Sequence, residues 1–90
     1  KLHKRKLYSM KNKIIKELQL DNNNIAFQPN IGNSYQLNDV AKDIITLLQQ
    51  NISKDEIVKN ISLEYDAPIS DVYIDVSDFV SKLKIYGLIV

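Results

Sequence analysis

The chain predicts an α+β domain of winged-helix-like form, a three-stranded antiparallel sheet followed by a three-helix bundle. Two observations carry this. Up to Leu37 the apolar residues alternate or run in short blocks separated by Asn, Asp, Pro and Gly, and from Asn38 onward their spacing changes to about 3.6. With 90 residues there is one small core to fill, since a chain of this size buries only roughly 60–65% of its unfolded surface.

The elements follow in order. Ile14, Ile15, Leu18 and Leu20 predict a first strand over 13–20, closed by the turn-favouring run Asp21-Asn22-Asn23-Asn24. Ile25-Ala26-Phe27-Gln28 reads as a second strand. Pro29-Asn30-Ile31-Gly32-Asn33 supplies a turn with glycine available for positive φ, and Ser34-Tyr35-Gln36-Leu37 is a short third strand. Asn38 is an N-cap for a first helix whose stripe is Val40, Ala41, Ile44, Ile45, Leu47 and Leu48, ending near Gln50-Asn51. Ser53 and Glu56 have capping-box spacing, with Ile52 and Ile57 placed as a hydrophobic staple, so a second helix begins at Lys54. Ile57, Val58 and Ile61 are its buried face. Ala67-Pro68 breaks the chain, Ser70 is expected to cap the third helix, and Gly87 to stop it. Leu88-Ile89-Val90 then lies back on the core or pairs as a strand.

Composition excludes several kinds of function. There is no cysteine, which removes disulfides, thiolate metal sites and cysteine nucleophiles. The one histidine, His3, lies near the start of the chain, and no glycine-rich phosphate loop or ligand cluster is present. No nucleophile–base pair can be assembled, so catalytic, cofactor and metal residues are all expected to be none. No stretch approaches the roughly 20 apolar residues of a membrane span, and a cytoplasmic protein is expected. The net charge of +1 is unevenly distributed, because Lys1, Lys4, Arg5, Lys6, Lys11, Lys13 and Lys16 all precede the acidic remainder. Residues 1–12 are read as a solvated basic arm and 13–90 as the folded domain. The chain does not start with methionine, which suggests trimming or a piece of a longer chain, and Met10 is available as an internal start.

The last helix has more than one face. At about 100° per residue, Val72, Val76, Phe79, Val80, Leu83 and Tyr86 share the third of the circumference that a core stripe requires. Asp71, Asp75, Asp78 and Lys82 form a second stripe, read as solvated, with Asp78 and Lys82 an i,i+4 pair. The remaining sector holds Tyr73, Ile74, Ser77, Ser81, Lys84 and Ile85, small serines between apolar side chains. It is either the wall of a groove or bland surface, with Ile74 stapled to Ile69 and Ile85 beneath the tail. In a meander of sequence order the third strand is an edge, whose unpaired backbone groups are a template for another strand.

These residues also carry a resemblance. Leu37-Asn38 leading into Ala41, Ile44 and Leu47-Leu48, then Glu56-Ile57-Val58, Leu63-Glu64-Tyr65-Asp66, Asp75-Val76-Ser77-Asp78-Phe79-Val80-Ser81-Lys82-Leu83 and Gly87-Leu88-Ile89, is similar to the PqqD family over roughly 37–89. The resemblance implies a peptide chaperone, or RiPP recognition element, that holds the leader segment of a ribosomally made precursor peptide for a modifying enzyme. It implies the same sheet and helices, with the leader added as a strand along the third strand and against the third helix. Carried over by position, Ser34, Tyr35, Gln36 and Leu37 form the pairing edge, while Tyr73, Ile74, Ser77, Ser81 and Lys84 line the groove. The implied partners are a precursor peptide and a maturation enzyme such as a radical SAM enzyme, cyclase or protease. A strand-exchanged dimer is also compatible.

Two other readings compete with this one. A winged helix invites DNA binding, but the helix that would enter the groove presents Asp71, Asp75 and Asp78, which repel phosphate, so no nucleic acid is expected. A protein-assembly domain would use the same apolar sector for a partner protein.

Overall fold

The computed structural model describes residues 14–89. The basic arm expected at 1–12 lies outside the described residues, as does Val90.

The described chain opens differently from the expected strand over 13–20. Residues 14–16 are helical (α1), and strand β1 is only Gln19–Leu20. The reason is which side chains reach the core. Ile15 and Leu18, three apart on one helical face, are 2% and 5% exposed, whereas a strand would have put Lys16 on the same face as Leu18. Gln49 fixes this turn by donating from Nε2 to the carbonyls of Ile15 and Leu18, at 3.1 and 3.0 Å.

Strands β2 (Ile25–Gln28) and β3 (Asn33–Gln36) complete an antiparallel sheet in the order β1-β2-β3. The tight turn between β1 and β2 is held by Asp21, whose Oδ1 accepts the N–H groups of Asn23 and Ile25, both at 2.9 Å. In the turn between β2 and β3, Gly32 has φ +73 and donates its N–H to the Gln28 carbonyl at 2.9 Å. Strand β3 begins one residue before the expected Ser34. Leu37, just past its end, still donates to the Asn24 carbonyl at 2.7 Å.

Three longer helices follow. Helix α2 (Asp39–Gln49) is capped by Asn38, whose Oδ1 accepts the Ala41 N–H at 2.7 Å. Helix α3 (Lys54–Tyr65) is capped by Ser53, whose Oγ accepts the Glu56 N–H at 3.3 Å. Helix α4 (Ile69–Ile85) departs from expectation at its start, because Pro68 and not Ser70 occupies the cap position. Only Ala67 and Pro68 separate the left-handed Asp66 that closes α3 from the first residue of α4, so the helix begins before Ser70 is reached. The Pro68 carbonyl accepts the N–H groups of Asp71 and Val72, at 3.1 and 3.0 Å.

The end of α4 determines where the tail goes. Gly87 takes φ +74, Leu88 donates to the Leu83 carbonyl at 2.9 Å and Gly87 to that of Lys84 at 3.0 Å, which is the paired bonding of a Schellman stop. The chain is thereby turned back so that Leu88, 2% exposed, joins the core and does not extend a strand. Ile15, Leu18, Ala26, Ile45, Leu83 and Leu88 form one buried cluster beneath the sheet. Ile44, Ile57, Val58, Ile61, Val72 and Val76 form a second between the helices, and Leu48 and Phe79 pack against both. Each fully buried Leu or Ile of this kind stabilises the fold by about 1.5–3 kcal/mol. No helix among the described residues is long and apolar enough to cross a membrane.

Candidate functional site

Strand β3 is an edge strand, and its register shows which backbone groups are free. In an antiparallel ladder, residues alternate between those bonded to the neighbour and those facing away. Leu37 bonds to Asn24, and Tyr35 and Asn33 stand opposite Ala26 and Gln28, so these three face β2. The backbone N–H and C=O groups of Ser34 and Gln36 therefore point out from the sheet. The other side of β2 agrees, since the Ile25 carbonyl accepts from Asp21 at 3.0 Å, leaving Asn24, Ala26 and Gln28 for β3.

Facing this edge across a crevice of about 470 Å³ is helix α4. Phe79, Lys82, Leu83 and Tyr86 form the helical wall, and Ser34, Tyr35, Gln36 and Leu37 the strand wall. The floor is apolar. Ala26 and Ala41 contribute small side chains there beside Leu18, Ile45 and Leu88, so the crevice is deep where a larger residue would fill it. One end is narrowed by the rings of Tyr35 and Tyr86, 5.7 Å between centroids. Tyr35 is held from below by the Gln28 Oε1, which accepts its hydroxyl at 3.1 Å. The opposite end continues into a shallower recess lined by Asn38, Val40, Ile44, Asp75 and Asp78.

Of the sequence-expected residues, Ser34, Tyr35, Gln36 and Leu37 line this crevice, and Tyr73, Ile74, Ser77, Ser81 and Lys84 do not. Tyr73 sits beside the start of α3, with the Lys54 Nζ 4.5 Å from its ring centroid. Ile74 is 57% exposed and Ile85 82%, so Ile85 is not tucked beneath the tail. Ser81 and Lys84 face solvent, and the Ser77 Oγ is buried without a hydrogen-bond partner. The reason lies in handedness of assembly. Periodicity groups residues into faces, but the sheet lies to one side of the core stripe, and that side is the one bearing Asp75, Asp78, Lys82 and Tyr86. The helical residues that do line the crevice are ones that periodicity gives to the core stripe or to solvent, and the amphipathic Tyr86 at the stripe's edge is the signal available for them.

Electrostatics distinguish the two ends of the crevice. The expected Asp78–Lys82 pair does not form. Among the described residues no hydrogen bond or ion pair engages the side chains of Asp75, Asp78 or Lys82, whereas Lys59 and Glu56 are bridged at 3.8 Å. A second polar cluster lies on the α2–α3 side. There the Tyr65 hydroxyl donates to the Asp43 carboxylate, which holds the Tyr65 pKa well above its ordinary range. A hydrogen bond with Asp43 also raises Glu64, with desolvation adding to it and Tyr65 opposing it. Among the described residues no group of three or more His, Cys, Asp or Glu is arranged to hold a metal ion.

The family model for coenzyme PQQ synthesis protein D (PqqD) matches residues 18–89. The chain belongs to the PqqD family. Among solved structures, the protein is similar to a chain described as lasso peptide synthetase B1 complexed with the leader peptide, with a TM-score of 0.67 and 24% identity. The likeness covers 79% of this chain and 87% of that one, and it concerns the fold. No curated protein sequence matches. This PqqD-family member thus shares the fold of that structure, and its own three-stranded sheet and following helices frame the crevice between β3 and α4.

Proposed function

We propose that the protein captures the leader segment of a ribosomally synthesised precursor peptide by strand addition to β3 and presents it to a modifying enzyme. The observation that carries this is the free edge of β3, with the outward backbone groups of Ser34 and Gln36 standing over an apolar-floored crevice against α4. An extended guest pairs its main chain with those two residues. Every second guest side chain then enters the crevice towards Phe79 and Leu83. Family membership supports this reading, as does the leader peptide named in the complex of similar fold.

The role is binding without catalysis, and the chemistry belongs to the partner, a maturation enzyme such as a radical SAM enzyme, cyclase or protease. The unpaired Asp75 and Asp78 argue against a polyanion, since phosphate contacts require lysine or arginine where these carboxylates stand. A second copy of the chain is the competing occupant of the edge, as a strand-exchanged dimer.

An NMR titration of labelled protein with candidate leader peptides tests the proposal. Shifts should concentrate on 34–37 and on Phe79, Lys82, Leu83 and Tyr86. Shifts confined to Tyr73, Ile74, Ser77, Ser81 and Lys84 would place the guest on the other face of α4 and overturn the assignment.

A further inference from the structure

The crevice has a chemical polarity that strand addition alone does not explain. Its floor is apolar around Phe79 and Leu83, while the recess towards the start of α4 is bordered by Asp75 and Asp78, neither of which has a partner within the described protein. Unpaired carboxylates beside an apolar floor are a recognition element for a cation only if a guest can reach both at once. The dimensions allow this. From the midpoint of Asp75 and Asp78 to that of Phe79 and Leu83 is about four and a half helical positions, or roughly 7 Å at 1.5 Å per residue. Two residues of extended strand advance about 6.6 Å, and residues two apart share a face. A side chain seated on the floor therefore has its same-face neighbour beside the two carboxylates.

Resting on the leader-capture reading, we infer that this crevice selects extended peptides carrying a lysine or arginine two positions from the apolar residue seated between Ala26, Phe79 and Leu83. Asp75 and Asp78 receive the cation. Lys82 borders both the crevice and the recess and repels a cation placed beside it, which sharpens the spacing. The carboxylates are at the rim, so the discrimination is of the size of partly exposed ion pairs and weakens with salt.

A displayed library of random twelve-residue peptides, selected on the parent protein and on the D75N/D78N double variant, tests this. Parent-selected peptides should be enriched in Lys or Arg two positions from a large apolar residue, and that enrichment should vanish on the double variant while the apolar preference persists. For one selected peptide, Lys→Glu should weaken binding by about tenfold at low salt on the parent and by less than about twofold on D75N/D78N. Enriched peptides that show the apolar preference without the spaced cation, or the same cation preference on both proteins, would overturn the charge rule and leave leader capture standing. A selection that yields no peptide displaced by competition at β3 would overturn both.

Discussion

Gln36→Pro separates strand addition from every mode of binding that uses α4 alone. The register places the Gln36 N–H on the outward edge of β3, whereas that of Tyr35 faces Ala26 of β2. Proline at 36 removes one donor to the guest and puts a ring where the guest's carbonyl must approach, but breaks no bond of the β2–β3 ladder. The lost hydrogen bond alone is worth about 0.5–1.5 kcal/mol, or a factor of roughly 2–12, and the ring's bulk takes the loss to at least about tenfold. Thermal unfolding should move by only a few degrees. Tyr35→Pro, one residue earlier, should instead cost about 3 kcal/mol of stability, because it removes a ladder bond and disturbs the contact with Tyr86. The assays are isothermal titration with a bound leader peptide and thermal denaturation of the three proteins. Parent-like affinity in Gln36→Pro would refute strand addition, and equal destabilisation by the two prolines would refute the assigned register.

Other consequences follow from the same geometry. Leu88→Ala should cost about 2–4 kcal/mol in urea denaturation, since Leu88 is almost fully buried in the cluster that also forms the crevice floor. For a domain of this size that is a large part of the whole stability, so the variant's leader affinity should fall with it. Ser77→Ala should leave stability unchanged or raise it by up to about 1 kcal/mol, because the buried hydroxyl it removes has no partner. Ile74→Glu, on the exposed face away from the crevice, should leave peptide affinity within about twofold of the parent by the same titration. Tyr65 gives a pH dependence. Its folded pKa is raised above the ordinary 10.0 chiefly by the hydrogen bond to Asp43, so the stabilisation is complete below that value and is lost as pH rises above it. The stability difference between the parent and Tyr65→Phe, measured by urea denaturation, should accordingly be constant up to about pH 9 and shrink as pH rises above about 10.

Much of this protein was legible because local physics decides local structure. Asn38 and Ser53 cap helices because a short polar side chain before an apolar period can accept the orphan N–H groups of a first turn. Gly87 ends α4 because only glycine takes φ +74 there without strain, and the turn it makes carries Leu88 into the core. The segment 14–20 was misread because Ile14, Ile15, Leu18 and Leu20 fit both periods, and the choice was made by a distant residue, Gln49, and by the space beneath the sheet. Ser70 was misread as a cap because Pro68 already supplies the extended residue that a helix start requires.

The site divides along the same line. Sequence by itself determined that β3 would be an edge and that the last helix would carry an apolar stripe, a charged stripe and a third, mixed sector, since these depend on chain order and on the 3.6-residue repeat. Which of those sectors meets the edge was decided only when α4 packed across the sheet. That packing joins Leu83 and Leu88 to Ala26 and Ile45, rotates Tyr86 onto Tyr35, and leaves Lys82 and the unpaired Asp75 and Asp78 along the crevice. A helix wheel has no marker for left or right of its core stripe, because the side on which a sheet lies is fixed by burial between segments far apart in the chain.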